Sequence, residues 1–279
     1  MMHNVVDERR EPEWDVRRTS PSVLAAGVLV LGAVVTGCVI LIPQVRFGYR
    51  SAGGHIAVET AAVLIALLVA MLALGRFRRN AELADLLLTA TFMLLALVNL
   101  VFTAIPAVVS DLPNSAATWG AVGGRAVGAG LLAAAAVSPA VRLRRRRGLV
   151  WLLGCTGAGL LVAGGLAAAA GSLPEPVDPG LSPTVGTPGL DGHPLVVGAQ
   201  LVAAVFYAVA ALGYLRRTRG VADPLYAGLG VGSVLAGWSA THYALFPSLF
   251  SDWIYLGDLF RVVAYLVFLV AAFREIGSY

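Results

Sequence analysis

The chain contains no lysine, and all twenty of its basic residues are arginine. Charge of either sign is scarce, at 13% of 279 residues, against roughly 25% in soluble domains. With 58% hydrophobic residues and a mean hydropathy of +0.81, the scarcity excludes a water-soluble enzyme, which could not hide so much apolar surface. It also excludes disorder, which needs low hydrophobicity and high charge. Cysteine is nearly absent. Cys38 and Cys155 both lie in apolar stretches without CxxC or Cys/His spacing, so neither a disulfide framework nor a zinc site organises the chain. Each is expected to act as a small buried hydrophobe. Heptads and collagen repeats are lacking too. What remains is an all-α integral membrane protein.

Eight apolar stretches are long enough to span a bilayer: about 23–42, 55–75, 85–108, 117–140, 149–170, 194–215, 224–246 and 253–273. The first has no A-x-A cleavage site and reads as a retained helix. Residues 1–21 read as a disordered cytoplasmic tail. Arginine sets the orientation. Sixteen lie on one side, in the tail (Arg9, Arg10, Arg17, Arg18), in three loops (Arg76, Arg78, Arg79; Arg142 and Arg144 to Arg147; Arg216, Arg217, Arg219) and at Arg274. The other side has only Arg46 and Arg50. Both termini are therefore expected in the cytoplasm of a bacterial cell, with the chain multi-pass in the plasma membrane. The clusters are short and hug helix ends, which suits topogenic anchoring and not nucleic acid. Residues 171–193, with five prolines and five glycines, forbid a regular element and read as a cap over the outer face or as a spacer.

The chain resembles itself. Displaced by 138 residues, GHIAVETAAVLIALLVAMLALGRFRRNAELADLLL (54–88) falls on GHPLVVGAQLVAAVFYAVAALGYLRRTRGVADPLY (192–226) without a gap. Farther on, PAVVSD at 106–111 matches PSLFSD at 247–252, and Trp119-x3-Gly123 matches Trp253-x3-Gly257. The expectation is two parallel four-helix repeats, 22–147 and 148–279, related by a pseudo-two-fold axis along the membrane normal. Residues shared by both halves serve the fold. Asp85 and Asp223 stand at cytoplasmic helix starts, where a carboxylate favours the positive helix end and can pair with the Arg-Arg before it. Asp111 and Asp252 follow the outer ends of the same helices, and Pro194 suits a first helical position.

Residues that break the repeat mark a polar layer. Glu59 stands opposite Val197; Asn99, His242 and Asp258 have no polar twin; Arg125 and Arg261 are displaced by two positions. Helical rise puts them within roughly 6–13 Å of the outer face. Glu59 and Asp258 balance Arg125 and Arg261. Together with His55 and Trp238 these residues form the candidate ligand or charge network: His55, Glu59, Asn99, Arg125, Trp238, His242, Asp258 and Arg261. Three readings stay open: a salt-bridge network that sets helix register, an outward-facing pocket for a small ligand or ion, or metal or haem ligation by His55, His193 and His242. No HxxxH or carboxylate–histidine motif supports the last, so no metal, cofactor or catalytic residue is assigned. Trp119, Trp238, Tyr243, Phe246, Phe250, Trp253 and Tyr255 read as an interfacial aromatic belt, some of which could line a pocket.

The segments HIAVETAAVLIALLVAMLALGRFRRNAELADLLL (55–88) and HYALFPSLFSDWIYLGDLFRVVAYLVFLVAAFREI (242–276) resemble the N-terminal multi-helix membrane sensor region of actinobacterial-type sensor histidine kinases. The resemblance covers about 55–279. It implies a last helix that continues into a cytoplasmic, kinase-type output domain, in cis or in trans, and a homodimer. No phosphorylatable-histidine motif or ATP-binding glycine box lies in these residues, so the chain is expected to be an isolated input module or a protein cut at its domain boundary, and not itself an enzyme.

Two functions follow. The first is a sensory input module that detects an external or membrane-borne cue and passes it through the eighth helix. The alternative is a small-molecule or ion transporter or channel built from the duplicated unit. Its weakness is the lack of a polar route to the cytoplasm. The topology is open to test: reporter fusions at residues 112, 180 and 250 should score external and those at 80, 145 and 218 cytoplasmic. Reversal at two or more sites overturns the arrangement.

Overall fold

A computed structural model describes residues 20–45, 48–109, 114–176, 192–219, 223–246 and 253–277. The tail 1–21 and the loop 171–193 fall largely outside these residues, as do Asp111, Asp252 and Phe250. Among the described residues are eight long helices: α1 (Pro21–Leu41), α2 (Ala52–Asn80), α3 (Leu83–Val108), α4 (Asn114–Val137), α5 (Arg145–Ala168), α6 (Pro194–Arg217), α7 (Pro224–Leu245) and α8 (Leu256–Gly277). Seven are long and apolar enough to cross a membrane. The exception is α7, which carries four glycines, two serines, a threonine and a histidine.

Local chemistry starts and stops these helices. Pro21, Pro194 and Pro224 open α1, α6 and α7, where a missing N–H costs nothing. Ser51 caps α2 by accepting from Gly54 N at 3.1 Å, and Asp223 caps α7 by accepting from Leu225 N and Tyr226 N at 2.9 and 3.1 Å. The fourth span, expected to run to 140, ends at Val137, because the residue before Pro139 is driven out of the helical region. Within α3, residues Leu100–Ala104 form a π-helical turn. Pro106 cannot donate to the Phe102 carbonyl and its ring would collide with it; a wider turn relieves both.

The eighth span starts later than expected. Trp253–Tyr255 form a strand, β2, antiparallel to β1 (Gly48–Arg50), with Gly48 opposite Tyr255 and Arg50 opposite Trp253. This pair ties the α1–α2 and α7–α8 connections at one end of the bundle, the strand end. At the other, arginine-rich end, Leu83 N donates to Val141 O at 2.9 Å and Leu143 N to Ala81 O at 2.7 Å. Ala81 adopts a left-handed φ of 56° to make that corner.

Six helices close a ring in the order α2, α3, α4, α6, α7, α8 and back to α2. Outside it, α1 lies on α7, and α5 lies on α3 and α4. Burial follows position: 67% of the most apolar stretch of α3 is buried, against 22% in α1 and in α5. The outward faces carry Val30, Leu31, Met71, Val150 and Leu161. So much exposed aliphatic surface requires lipid as solvent, and the chain is a multi-pass all-α membrane protein. Both cysteines sit on the peripheral helices, Cys38 exposed and Cys155 half-exposed. Their expected burial is corrected, because α1 and α5 turn most of their surface away from the ring.

Ring contacts are close because small residues line them. A methyl group on Gly124 of α4 would overlap Val98 of α3 and press on Ala163 of α5 at 3.2 Å. Gly124→Leu should therefore part three helices and destabilise the fold by about 1–3 kcal/mol, read as a lower thermal unfolding temperature in detergent. Gly154→Leu, at a glycine with open space around it, should leave that temperature unchanged.

Candidate functional site

Four helices bring the polar layer together around Glu59, which is 2% exposed. Its Oε1 accepts from Arg261 Nη2 of α8 at 2.5 Å, and its Oε2 accepts from Thr103 Oγ1 of α3 at 3.0 Å. Arg125 Nη2 of α4 stands 3.7 Å from the same Oε2. One turn earlier on α2, His55 Nε2 lies 3.9 Å from Oε1. Arg125 Nε donates to Asn99 Oδ1 at 3.1 Å, and Asn99 Nδ2 donates to Tyr265 OH at 3.4 Å. The π-helical turn places Thr103 so that its hydroxyl also contacts the Asn99 carbonyl.

Asp258 completes the charge balance. Its Oδ1 accepts from Tyr243 OH at 2.8 Å and from Arg261 Nη2 at 3.2 Å, and its Oδ2 accepts from Tyr255 N at 3.2 Å. The guanidinium groups of Arg125 and Arg261 each lie 5.8 Å from the Tyr243 ring centre. His55, Glu59, Asn99, Arg125, Asp258 and Arg261 are thus joined in one network.

Trp238 and His242 are not part of that network. Both face α1, where the Trp238 indole fills the space over Gly32 and His242 Nε2 lies 3.0 Å from Thr36 Oγ1. The His242 ring stacks on Phe246 at 5.9 Å and tilts against Phe260 at 5.3 Å. His193, the remaining candidate, caps α6 through Nδ1 and meets the edge of Trp119 at 6.5 Å. Among the described residues no group of three or more His, Cys, Asp or Glu is placed to hold a metal ion. The aromatic belt is corrected at four positions: Trp119, Tyr243, Phe246 and Tyr255 are buried, since Tyr243, Phe246 and Tyr255 pack together with Val39 and Trp119 packs with Val122, Ala170 and Val196. The side chains of Phe250 and Trp253 lie outside the described residues.

A second cluster at the arginine end escaped the sequence reading. Arg76 of α2 is 8% exposed. Its Nε lies 3.0 Å from Asp85 Oδ1, its Nη2 3.2 Å from Asp223 Oδ2 and its Nη1 2.8 Å from Glu275 Oε1, with the Tyr226 ring 4.9 Å below. Asp223 is a cap, as expected, whereas Asp85, in the first turn of α3, pairs with Arg76 and accepts from Asn80 Nδ2 at 3.3 Å. Arg76 stands among the arginines expected to anchor the orientation, whereas its side chain turns inward. The repeat carried the signal, for displacement by 138 residues sets Arg76 opposite Tyr214, a break as sharp as Glu59 against Val197. Thr103 and Tyr265 carried no comparable signal, because threonine and tyrosine are common in membrane helices.

Residues 53–276 match the family model MASE3, described as a membrane-associated sensor domain. No curated protein and no solved structure matches the chain.

The network makes a stability prediction. Glu59→Ala strands two buried guanidinium groups with one carboxylate, which should cost about 3–5 kcal/mol and lower folded yield in detergent. Replacing Glu59, Arg125, Asp258 and Arg261 together with apolar residues should recover part of the loss. An unchanged unfolding temperature for Glu59→Ala would mean that its carboxylate is solvated.

Proposed function

The chain belongs to the MASE3 family of membrane-associated sensor domains, and from that premise we propose that it is the sensory input module of a bacterial signal-transduction protein. It detects an external or membrane-borne cue at the Glu59 layer and passes the change through α8 to a cytoplasmic kinase-type output, in cis or in trans. Here the bundle spans the plasma membrane eight times, α7 included, with the strand end outside and both termini inside. Burial within the ring supports the inclusion of α7, since a helix screened from lipid tolerates serine, threonine and histidine.

Helix α8 carries the proposal. It contributes Asp258 and Arg261 to one charge cluster and Glu275 to the other, and its partner α2 contributes Glu59 and Arg76. By helical rise the clusters lie about 20–25 Å apart, joined by two adjacent helices pinned at both ends. A shift of the Arg261–Glu59 contact therefore reaches Glu275 as a displacement or rotation of a rigid rod. A cue acts by favouring one of two such positions. Between the clusters the core is apolar, with Ala66, Val69, Ala70, Phe92 and Phe268 buried, which disfavours a transport path.

Helix packing also supports two repeats, 22–147 and 148–279. The contacts α2–α3, α3–α4, α4–α6 and α3–α5 have counterparts in α6–α7, α7–α8, α8–α2 and α7–α1, as a two-fold would require. The α4–α5 contact has no comparable counterpart between α8 and α1, so α5 sits differently on its half from α1.

The test fuses a kinase output after Tyr279 and compares Asp258→Asn, Arg261→Gln and Glu275→Gln at equal membrane level. Basal output should change in all three, because each loosens α8 at one of its two fixed points. Unchanged output in all three, from a fusion that responds to other α8 insertions, leaves α8 as an anchor and overturns the proposal.

A further inference from the structure

Between α3, α4, α6, α7 and α8 lies a cavity of about 40 Å³. It begins at Arg125 and Arg261 and extends toward the arginine end, past Tyr207 to Leu132 and Phe268, about two helical turns deeper. This is enough for a molecule of a few heavy atoms. Gln200, 4% exposed, and Arg261, 6% exposed, both line it. Gln200 Nε2, Arg261 Nε and Nη1, and Arg125 Nη2 have no hydrogen-bond partner among the described protein groups. Leaving buried donors unmade is costly, and here four such N–H-bearing atoms belong to three residues lining one small space.

The unsatisfied atoms are all donors, so the fitting partner is an acceptor. Charge narrows its class. Arg125 and Arg261 are already balanced by Glu59 and Asp258, and the cavity wall holds no other ionised group. An incoming anion would add an uncompensated charge in the membrane, which is expensive; an uncharged oxygen acceptor would not. Ser239, Tyr207, Tyr243 and Tyr265 also line it, and the deeper wall is apolar, with Leu95, Leu132, Ala203 and Phe268. We propose that the cavity is a binding site for a compact, uncharged molecule that carries a carbonyl-type oxygen on an apolar body. The oxygen lies between Gln200, Arg125 and Arg261, and the body points toward Leu132 and Phe268. The role of this molecule as the cue rests on the sensor reading above; its binding does not.

The test uses the full chain in phospholipid nanodiscs with carbonyl-labelled (13C) acetone as probe. Saturable binding with a downfield-shifted carbonyl resonance is expected, since two guanidinium groups and an amide polarise the oxygen. Gln200→Leu should weaken affinity about tenfold, the effect of one lost hydrogen bond of about 1.4 kcal/mol. Ala203→Leu, which fills the space from α6, should abolish binding. Acetate, of similar size but charged, should not bind. Each variant is first checked for helix content and a monodisperse gel-filtration profile. Should Gln200→Leu fail to fold, Gln200→Asn, which withdraws the donor by one methylene, replaces it with the same expectation. No saturable acetone binding, equal affinity in the wild type and both variants, or preference for acetate each overturns the site as assigned. Acetone binding with a silent kinase fusion keeps the site and removes the sensory role; a responsive fusion without acetone binding does the reverse.

Discussion

Two arginines inside a bundle that turns leucine and valine outward cannot persist without counter-charge, because an isolated ion in that setting is far too costly. Much of the strand-end half of the molecule follows from this constraint. Glu59 and Asp258 supply the charge, but charge alone is insufficient: each lone pair and each N–H also needs a partner. Thr103, Asn99, Tyr243, Tyr265 and the backbone of Tyr255 meet most of these needs. The network therefore draws on α2, α3, α4, α7 and α8 together, and no one of these helices can move without loosening a polar contact of another.

Arg76 poses the same problem at the other end, where the charges are unequal, one guanidinium among three carboxylates. Its neighbours come from α2, α3, α7 and α8, nearly the same set. The two clusters act as rivets on the α2–α8 pair, with an aromatic and alanine-rich contact between them in which Phe92 meets the edges of Tyr265 and Phe268 at 6.5 and 5.2 Å. Small residues keep the helices near enough for short polar side chains to bridge them; with larger residues at Gly124 or Gly228 the ring could not close as tightly. Packing and polar pairing thus depend on each other.

The proposed duplication gives these observations an order. Helices shared in kind by both halves make the ring, and the residues that differ between halves make the clusters: Glu59 against Val197, and Arg76 against Tyr214. Such a scaffold permits specialisation at the interface between halves, where α2 meets α8, because mutations there are not constrained to suit both copies of the repeat.

Helical membrane architecture was legible in the sequence by itself because apolar length is a property of each segment alone and needs no partner. Most of the polar layer was legible for a related reason: a charged residue in an apolar helix must find an opposite charge, so Glu59, Arg125, Asp258 and Arg261 announce one another. The identity of the pairs was not, since it depends on which helix faces are adjacent. Only the tertiary structure decided that Arg76 turns inward to Asp85, Asp223 and Glu275, that His242 and Trp238 belong to the α1 contact, and that Trp253–Tyr255 pair with Gly48–Arg50 instead of opening α8. In each case the deciding quantity is the rotation of one helix about its axis or the meeting of two distant connections. Side-chain packing across the ring sets these, and no single segment of the sequence contains that information.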